Sequence, residues 1–251
     1  MTRSRSVVVA LVVLVAIGVG GYLVYDQVLR GDSAPALVLP STAPSAAASA
    51  GAGTTTEPGT SATPAASFDG EVAGTWTVTT GSQAGYRVRE QLASLPAESD
   101  AIGRTDQVSG TVTVASDGTT TTVTDGSLTV DTTSITSDED RRDNRMRSEG
   151  LQTDQFPTAT FTLTQPVDVP AAALEGTASD ITLVGDLTLH GVTKSVEIPA
   201  QTQLVDGQIQ VAGSLTFPLA DFDIVAPNIG GFIVSIADEG ALEFVVILTK
   251  G

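Results

Sequence analysis

The chain has 251 residues, 29 of them acidic and 12 basic, for a formal net charge of −17. That charge repels nucleic-acid phosphates and anionic lipid surfaces, so a nucleic-acid partner is not expected. With no cysteine and one histidine, a disulfide framework, a thiolate metal site and a multi-histidine metal site are all excluded.

The first segment is almost unbroken in its apolarity: VVVALVVLVAIGVGGYLVY, residues 7–25. It has about the ~20 residues that a helix needs to cross ~30 Å of hydrocarbon. Arg3 and Arg5 precede it, which predicts a cytoplasmic stub at 1–6, a transmembrane helix at 7–27 and the remainder outside. A cleaved signal peptide is the rival. Its apolar core would be shorter, and Tyr22, Leu23 and Tyr25 stand where a small-residue cleavage site belongs, which favours a retained signal-anchor. Residues 28–67, including STAPSAAASAGAGTTTEPGTSATPAAS, lack the apolar bulk to offset ordering entropy and are expected to form a disordered tether.

Residues 68–251 have the size of one domain with a real core. The three acidic and three basic residues before Phe68 cancel, so the whole −17 falls on this part. Its pattern is all-β. Trp76 and Val78, then Tyr86 and Val88, alternate in GTWTVTTGSQAGYRVRE; Val108, Val112 and Val114 share a face in VSGTVTV. TTTTVTDGSLTVD is read as strand, Asp125-Gly126 turn, strand. TATFTLTQPV, ITLVGDLTLHG, SVEIPAQTQLV, GQIQVAGSLTFPLADF and ALEFVVILTK continue the alternation, for about eight to ten strands. Two stretches break it. TSDEDRRDNRMRSEGLQTDQFP predicts one or two short helices, with an acidic start at Ser137–Asp140 and a stop at Gly150, and VPAAALEGTASD a loop or helical turn. Gly230-Gly231 reads as a flexible turn. A sheet closed on itself removes its own edges and can hold one small apolar ligand; a two-sheet sandwich would give the same alternation.

Four blocks in order give the domain a resemblance. DLTLHGVTKSVEIP resembles the hallmark strand pair of the YceI-like family. GTWTVTTGSQAGYRVRE resembles the family's opening strands, VDTTSITSDEDRRDNRMRSEGLQTDQFPTATFT its Arg-Asp and Phe-Pro block, and GSLTFPLADFDI its late strand. Over Gly74–Lys250 the resemblance implies an extended antiparallel, lipocalin-like β-barrel with short helical insertions and an elongated apolar cavity. It also implies export and association with long polyisoprenoid chains, quinone-type lipids among them. Glu90 and Arg145 stand where family members often carry histidine, so the contact to a ligand's polar end is expected to differ here.

Alternation nominates Tyr86, Val88, Val112, Val114, Leu128, Val130, Phe161, Leu163, Leu187, Leu189 and Phe217 as inward, ligand-lining residues. Arg142, Arg145, His190 and Lys194 are the candidates for a headgroup or rim contact. Arg141, Arg142, Arg145 and Arg147 could form an anion site, or pair locally with Asp138, Glu139, Asp140, Asp143 and Glu149 at helical spacing. His190 lacks a second imidazole or a thiol for a metal, and no Gly-x-Ser-x-Gly elbow accompanies it. Gly191 suggests instead a structural bend there. The expected function is therefore non-enzymatic: an extracytoplasmic, membrane-anchored barrel that binds, transports or stores an isoprenoid-type lipid such as a polyprenol or quinone, with no other cofactor. A filled barrel acting as a cell-envelope interaction module is the alternative, and a small-substrate hydrolase using His190 a more distant one. The sequence leaves the oligomeric state open.

Overall fold

The computed structural model describes residues 34–40, 71–92, 98–226 and 233–251. The apolar run at 7–27 and Gly230-Gly231 lie outside them. Among the described residues no helix is long and apolar enough to cross a membrane.

Eleven strands are formed among the described residues: β1 (Gly74–Val78), β2 (Gln83–Leu92), β3 (Glu98–Thr105), β4 (Val108–Ser116), β5 (Thr121–Asp131), β6 (Thr158–Leu163), β7 (Val167–Asp168), β8 (Ser179–Leu189), β9 (Val192–Val205), β10 (Gln208–Pro218) and β11 (Ile233–Lys250). Their neighbours run β1-β4-β5-β6-β8-β9-β10-β11, and β11 returns to β1 with Trp76 opposite Lys250 and Val78 opposite Leu248. Eight antiparallel strands thus close into a barrel, which decides against a sandwich. Beyond β1, the long β11 pairs with β2, and β2 with β3; an Arg104–Thr136 bridge links β3 to the stretch after β5. The side-chain period of two turns one apolar face of the barrel strands into a common lumen, with Phe244, Val246 and Leu248 of β11 facing it and Val245 and Ile247 on the other side. Two clusters of buried side chains form there. One is centred on Trp76, Val114, Leu204, Val246 and Leu248, the other on Leu187, Leu189, Phe217 and Phe222. Trp76 is wholly buried, and its indole N–H donates to the Val72 carbonyl at 2.9 Å.

Three local features depart from the sequence reading or sharpen it. Asp125-Gly126 makes no turn. Both lie inside β5 at a bulge, where Thr113 faces Asp125 but Val114 faces Val123. Gly126 points at Val112, whose Cγ1 would sit 3.2 Å from an added Cβ, so its small size serves packing, not a corner. The β4–β5 turn lies earlier. There Gly118 has φ +86°, and the Asp117 carboxylate accepts from the backbone N–H groups of Thr120 and Thr119 at 2.8 and 2.9 Å. Those bonds hold Asp117 below the usual carboxylate pKa.

Second, His190 and Gly191 form a two-residue hairpin turn between β8 and β9, with φ of +51° and +77°. Positive φ at both centres is the type I′ geometry that matches strand twist, so the structural bend expected at Gly191 is a tight turn. Third, residues 34–40, expected within the tether, lie against the barrel wall. The Arg87 guanidinium donates to the Ala34 carbonyl at 2.9 Å, Arg104 donates to that of Pro35, and the Gln203 amide to that of Pro40 at 3.1 Å. Leu37 and Leu39 share a groove with Pro199, Gln201, Ala212 and Ser214. An Ala/Ser/Pro composition signals low average burial. It does not register the short apolar ALVLP inside it.

Candidate functional site

The lumen is the candidate site, and it is open. Two cavities of about 90 and 130 Å³ adjoin at Leu128, Phe161, Leu183, Phe244 and Val246, and their walls are almost entirely apolar. A third space of about 40 Å³ adjoins the larger one through Tyr86, Val88, Met146, Leu219 and Ile224.

The space stays open because three aromatic rings lie against inward-facing glycines. An added Cβ would come within 2.3 Å of the Tyr86 ring at Gly103, 2.5 Å of the Phe161 ring at Gly185 and 2.8 Å of the Phe244 ring at Gly213. A glycine in a strand costs conformational entropy, and close approach of another group is a common reason for one. Here each glycine lets a ring fold onto the wall instead of projecting across the lumen.

All eleven residues nominated by alternation face this space. Val112, Val114 and Leu163 line the first cavity, and Leu128 and Phe161 stand where the two meet. Tyr86, Val88, Val130, Leu187, Leu189 and Phe217 line the second. Their legibility has a simple cause: each sits in a run of unbroken alternation, which in β5 begins after the bulge and carries Gly126, Leu128 and Val130.

The four headgroup or rim candidates separate. Of the four, Arg142 alone borders these three cavities. Its guanidinium donates to Glu90 Oε1 at 2.6 Å and also to Asp138, and its side chain is 11% exposed. Burial alone would lower its pKa, but the charges of Glu90 and Asp138 outweigh that and leave it raised. Arg145 pairs with Glu149 one helical turn on, and Lys194 with Asp221 at 3.0 Å, both at exposed positions. His190 is buried beneath its own turn. Its Nδ1 bonds to the Phe222 carbonyl at 3.0 Å and its ring meets Phe156 edge-on at 4.6 Å, while Nε2 has no partner. A hydrogen bond from Nδ1–H fixes the tautomer and leaves Nε2 without the hydroxyl or acid that nucleophilic catalysis requires. Among the described residues no group of three or more His, Cys, Asp or Glu could hold a metal ion.

The arginine-rich segment therefore divides between local pairing and the barrel end. It forms a short helix, Asp140–Arg145, continued by a wider π-type turn, Met146–Gly150. Glu139 caps it by accepting from the Arg141 N–H, and the segment ends at Gly150 as the pattern predicts. Met146 and Leu151 reach into the second cavity, so the segment folds over that end of the lumen. Asp143 braces it, accepting from the Ser137 hydroxyl at 2.6 Å and from the Ser137 N–H at 3.0 Å. The Glu90–Arg142 pair escaped the sequence reading because its members are 52 residues apart. The available signal was phase: positions 86, 88 and 90 share one face of β2, which sends Glu90 inward with Tyr86 and Val88.

Comparison with known proteins agrees with this architecture. Residues 76–248 match the model of the YceI-like domain. A UPF0312 protein of Vibrio vulnificus is 32% identical over 114 residues, which cover 43% of this chain and 57% of the relative. Protein YceI of Shigella flexneri is 41% identical over 76 residues, covering 30% and 36%. The chain thus matches between about a third and somewhat over half of these relatives' lengths. Among solved structures, a polyisoprenoid binding domain from Saccharophagus degradans implicated in plant cell wall breakdown superposes with a TM-score of 0.55 at 21% identity, over 71% of this chain and 99% of that one. BcnA of Burkholderia cenocepacia gives 0.50 at 18%, over 66% and 95%. At these identities the two structures establish a shared fold.

Proposed function

The chain belongs to the YceI-like domain family, and from that premise we propose that its barrel binds a long apolar isoprenoid-type lipid, a polyprenol or a quinone, for transport, storage or protection. The protein acts without catalysis, on the extracytoplasmic side of a membrane to which residues 7–27 anchor it.

The observation that carries this reading is the elongated apolar lumen. Its adjoining cavities are walled by aliphatic and aromatic side chains and kept open by rings laid against glycines. Each CH₂ moved from water into such a space contributes ~0.8 kcal/mol, so a long tail binds tightly with few polar contacts. The Saccharophagus domain that shares the fold is a polyisoprenoid binding domain, which makes an isoprenoid the first ligand class to test. The open lumen favours a carrier over an interaction module with a filled barrel, and the partnerless Nε2 of His190 disfavours a hydrolase.

Phe161 lies where the two larger cavities meet. A carboxylate placed there has no partner and must be desolvated to admit a tail. Phe161→Asp is expected to abolish uptake of a polyprenyl quinone from vesicles, while circular dichroism shows the β-barrel retained. Unchanged uptake by a folded Phe161→Asp protein would refute the lumen as the binding site.

A further inference from the structure

The outer wall of the barrel carries a built contact of its own. Arg87 stands between Tyr86 and Val88, which line the lumen, so it projects from the outer face of β2. Its guanidinium pairs with Glu243 at 2.6 Å and with Asp100 at 3.0 Å, and Arg104 reaches Glu243 at 3.5 Å. These carboxylates match the arginine charges, and the N–H groups left over turn to uncharged acceptors, the carbonyls of Ala34 and Pro35. At the other end of the same segment the Gln203 amide, already bonded to Gln210 at 2.8 Å, donates to the Pro40 carbonyl.

The sequence of the segment matches what the wall offers. Pro35 and Pro40 have no N–H, so they present acceptors alone, and the wall meets them with donors. Between them Leu37 and Leu39 turn into a groove formed by β8, β9 and β10, while Val38 turns out to solvent. That is the period of two of an extended chain. The donors come from β2, β3 and β9, so the segment lies across the barrel strands and is not an added strand beside one of them.

Six residues, 28–33, separate this segment from the apolar run at 7–27. Left free, residues 28–67 could extend to about 130 Å; with residues 34–40 docked, residues 28–33 allow at most about 20 Å between the run and Ala34. We propose that Ala34–Pro40 is a clamp: docked on the outer wall, it holds the barrel on a short leash, with the side that carries Arg87 and the β8–β10 groove towards the membrane. The proposal rests on the reading of residues 7–27 as a membrane anchor, and adds how the barrel is held there. A domain that carries −17, which an anionic bilayer surface repels, is thereby kept within reach of the lipid it takes up.

The test uses the full chain in phosphatidylcholine vesicles. The sequence has no cysteine, so a single donor dye can be attached through Thr216→Cys, exposed on β10 beside the groove, or through Ser127→Cys, exposed on β5 across the barrel. Energy transfer to acceptor-labelled lipid is read from each position, in the otherwise unchanged chain and with Leu37→Ser/Leu39→Ser, which removes the apolar grip and adds no charge. Transfer is expected to be stronger from position 216 than from position 127. The double substitution should abolish that difference and lower transfer from both, whereas Val38→Ser should leave it as it was. Equal transfer from the two positions with the segment intact, or a difference that survives the double substitution, overturns the clamp and leaves the lumen as the lipid site. A chain that does not float with the vesicles overturns the anchor, and the clamp's role with it.

Discussion

Glu90 and Arg142 place an ion pair where the lining is otherwise apolar. Glu90 is 2% exposed, and its Oε1 lies 2.6 Å from the guanidinium. Removing one partner of such a pair strands the other charge away from water, whereas replacing both by apolar groups of similar volume removes the desolvation cost as well. Arg142→Met is therefore expected to destabilise the protein by about 3–5 kcal/mol. The double variant Glu90→Leu/Arg142→Met should return to within about 1 kcal/mol of the wild type, since both charges then go together. Urea denaturation of the three proteins measures this. If Arg142→Met proved as stable as the wild type, the pair would have no structural role. His190 teaches the opposite lesson at the same scale. Its solitude in the sequence invites a chemical role, yet its positive φ, its bond to the Phe222 carbonyl and its contact with Phe156 make it a turn residue that ties the β8–β9 hairpin to the Leu219–Phe222 turn.

At the scale of elements, what alternation could and could not tell is visible strand by strand. It identified the inward face of β2, β4, β5, β6, β8 and β10, because burial on one side imposes a period of two and little else does. It could not distinguish a turn from a bulge at Asp125-Gly126: the dipeptide fits either, and the choice depends on how β4 pairs with β5. Nor could it find the docked ALVLP segment, whose partners come from strands far along the chain. That segment makes its own prediction. Leu37 and Leu39 are half-buried in the groove, whereas Val38 between them is 69% exposed. Partial burial of two leucines is worth about 1–2 kcal/mol together. Leu37→Asp/Leu39→Asp should therefore lower the unfolding free energy by about that much, and Val38→Asp should leave it unchanged. Equal effects from the two variants would mean that the segment does not hold the wall in solution.

For the whole molecule, the closed eight-stranded barrel and the apolar lumen are two aspects of one solution. Closure pairs the eight barrel strands with one another while β2 and β3 extend from β11, so the interior need not be filled by side chains in order to hold the walls together. Inward glycines beneath Tyr86, Phe161 and Phe244 then set how much of it is filled. The fold was readable in outline because family blocks and alternation point the same way. The openness of the lumen was not, because the same aromatic positions serve equally well as packing or as lining. The difference lies in ring orientations that only the three-dimensional partners decide. Charge is divided less cleanly: most of the net −17 lies away from the lumen, but Glu243 lines the larger cavity, and Glu90, Arg142 and Asp143 are buried too.

The central claim is that this lumen holds an isoprenoid lipid. Its most direct test is native mass spectrometry of the full chain released gently from membranes, followed by organic extraction. A lipid-binding lumen gives a protein mass increased by one ligand, and an extracted species of isoprenoid type. A protein that is isolated empty, and remains empty after incubation with quinones and polyprenols, would contradict it.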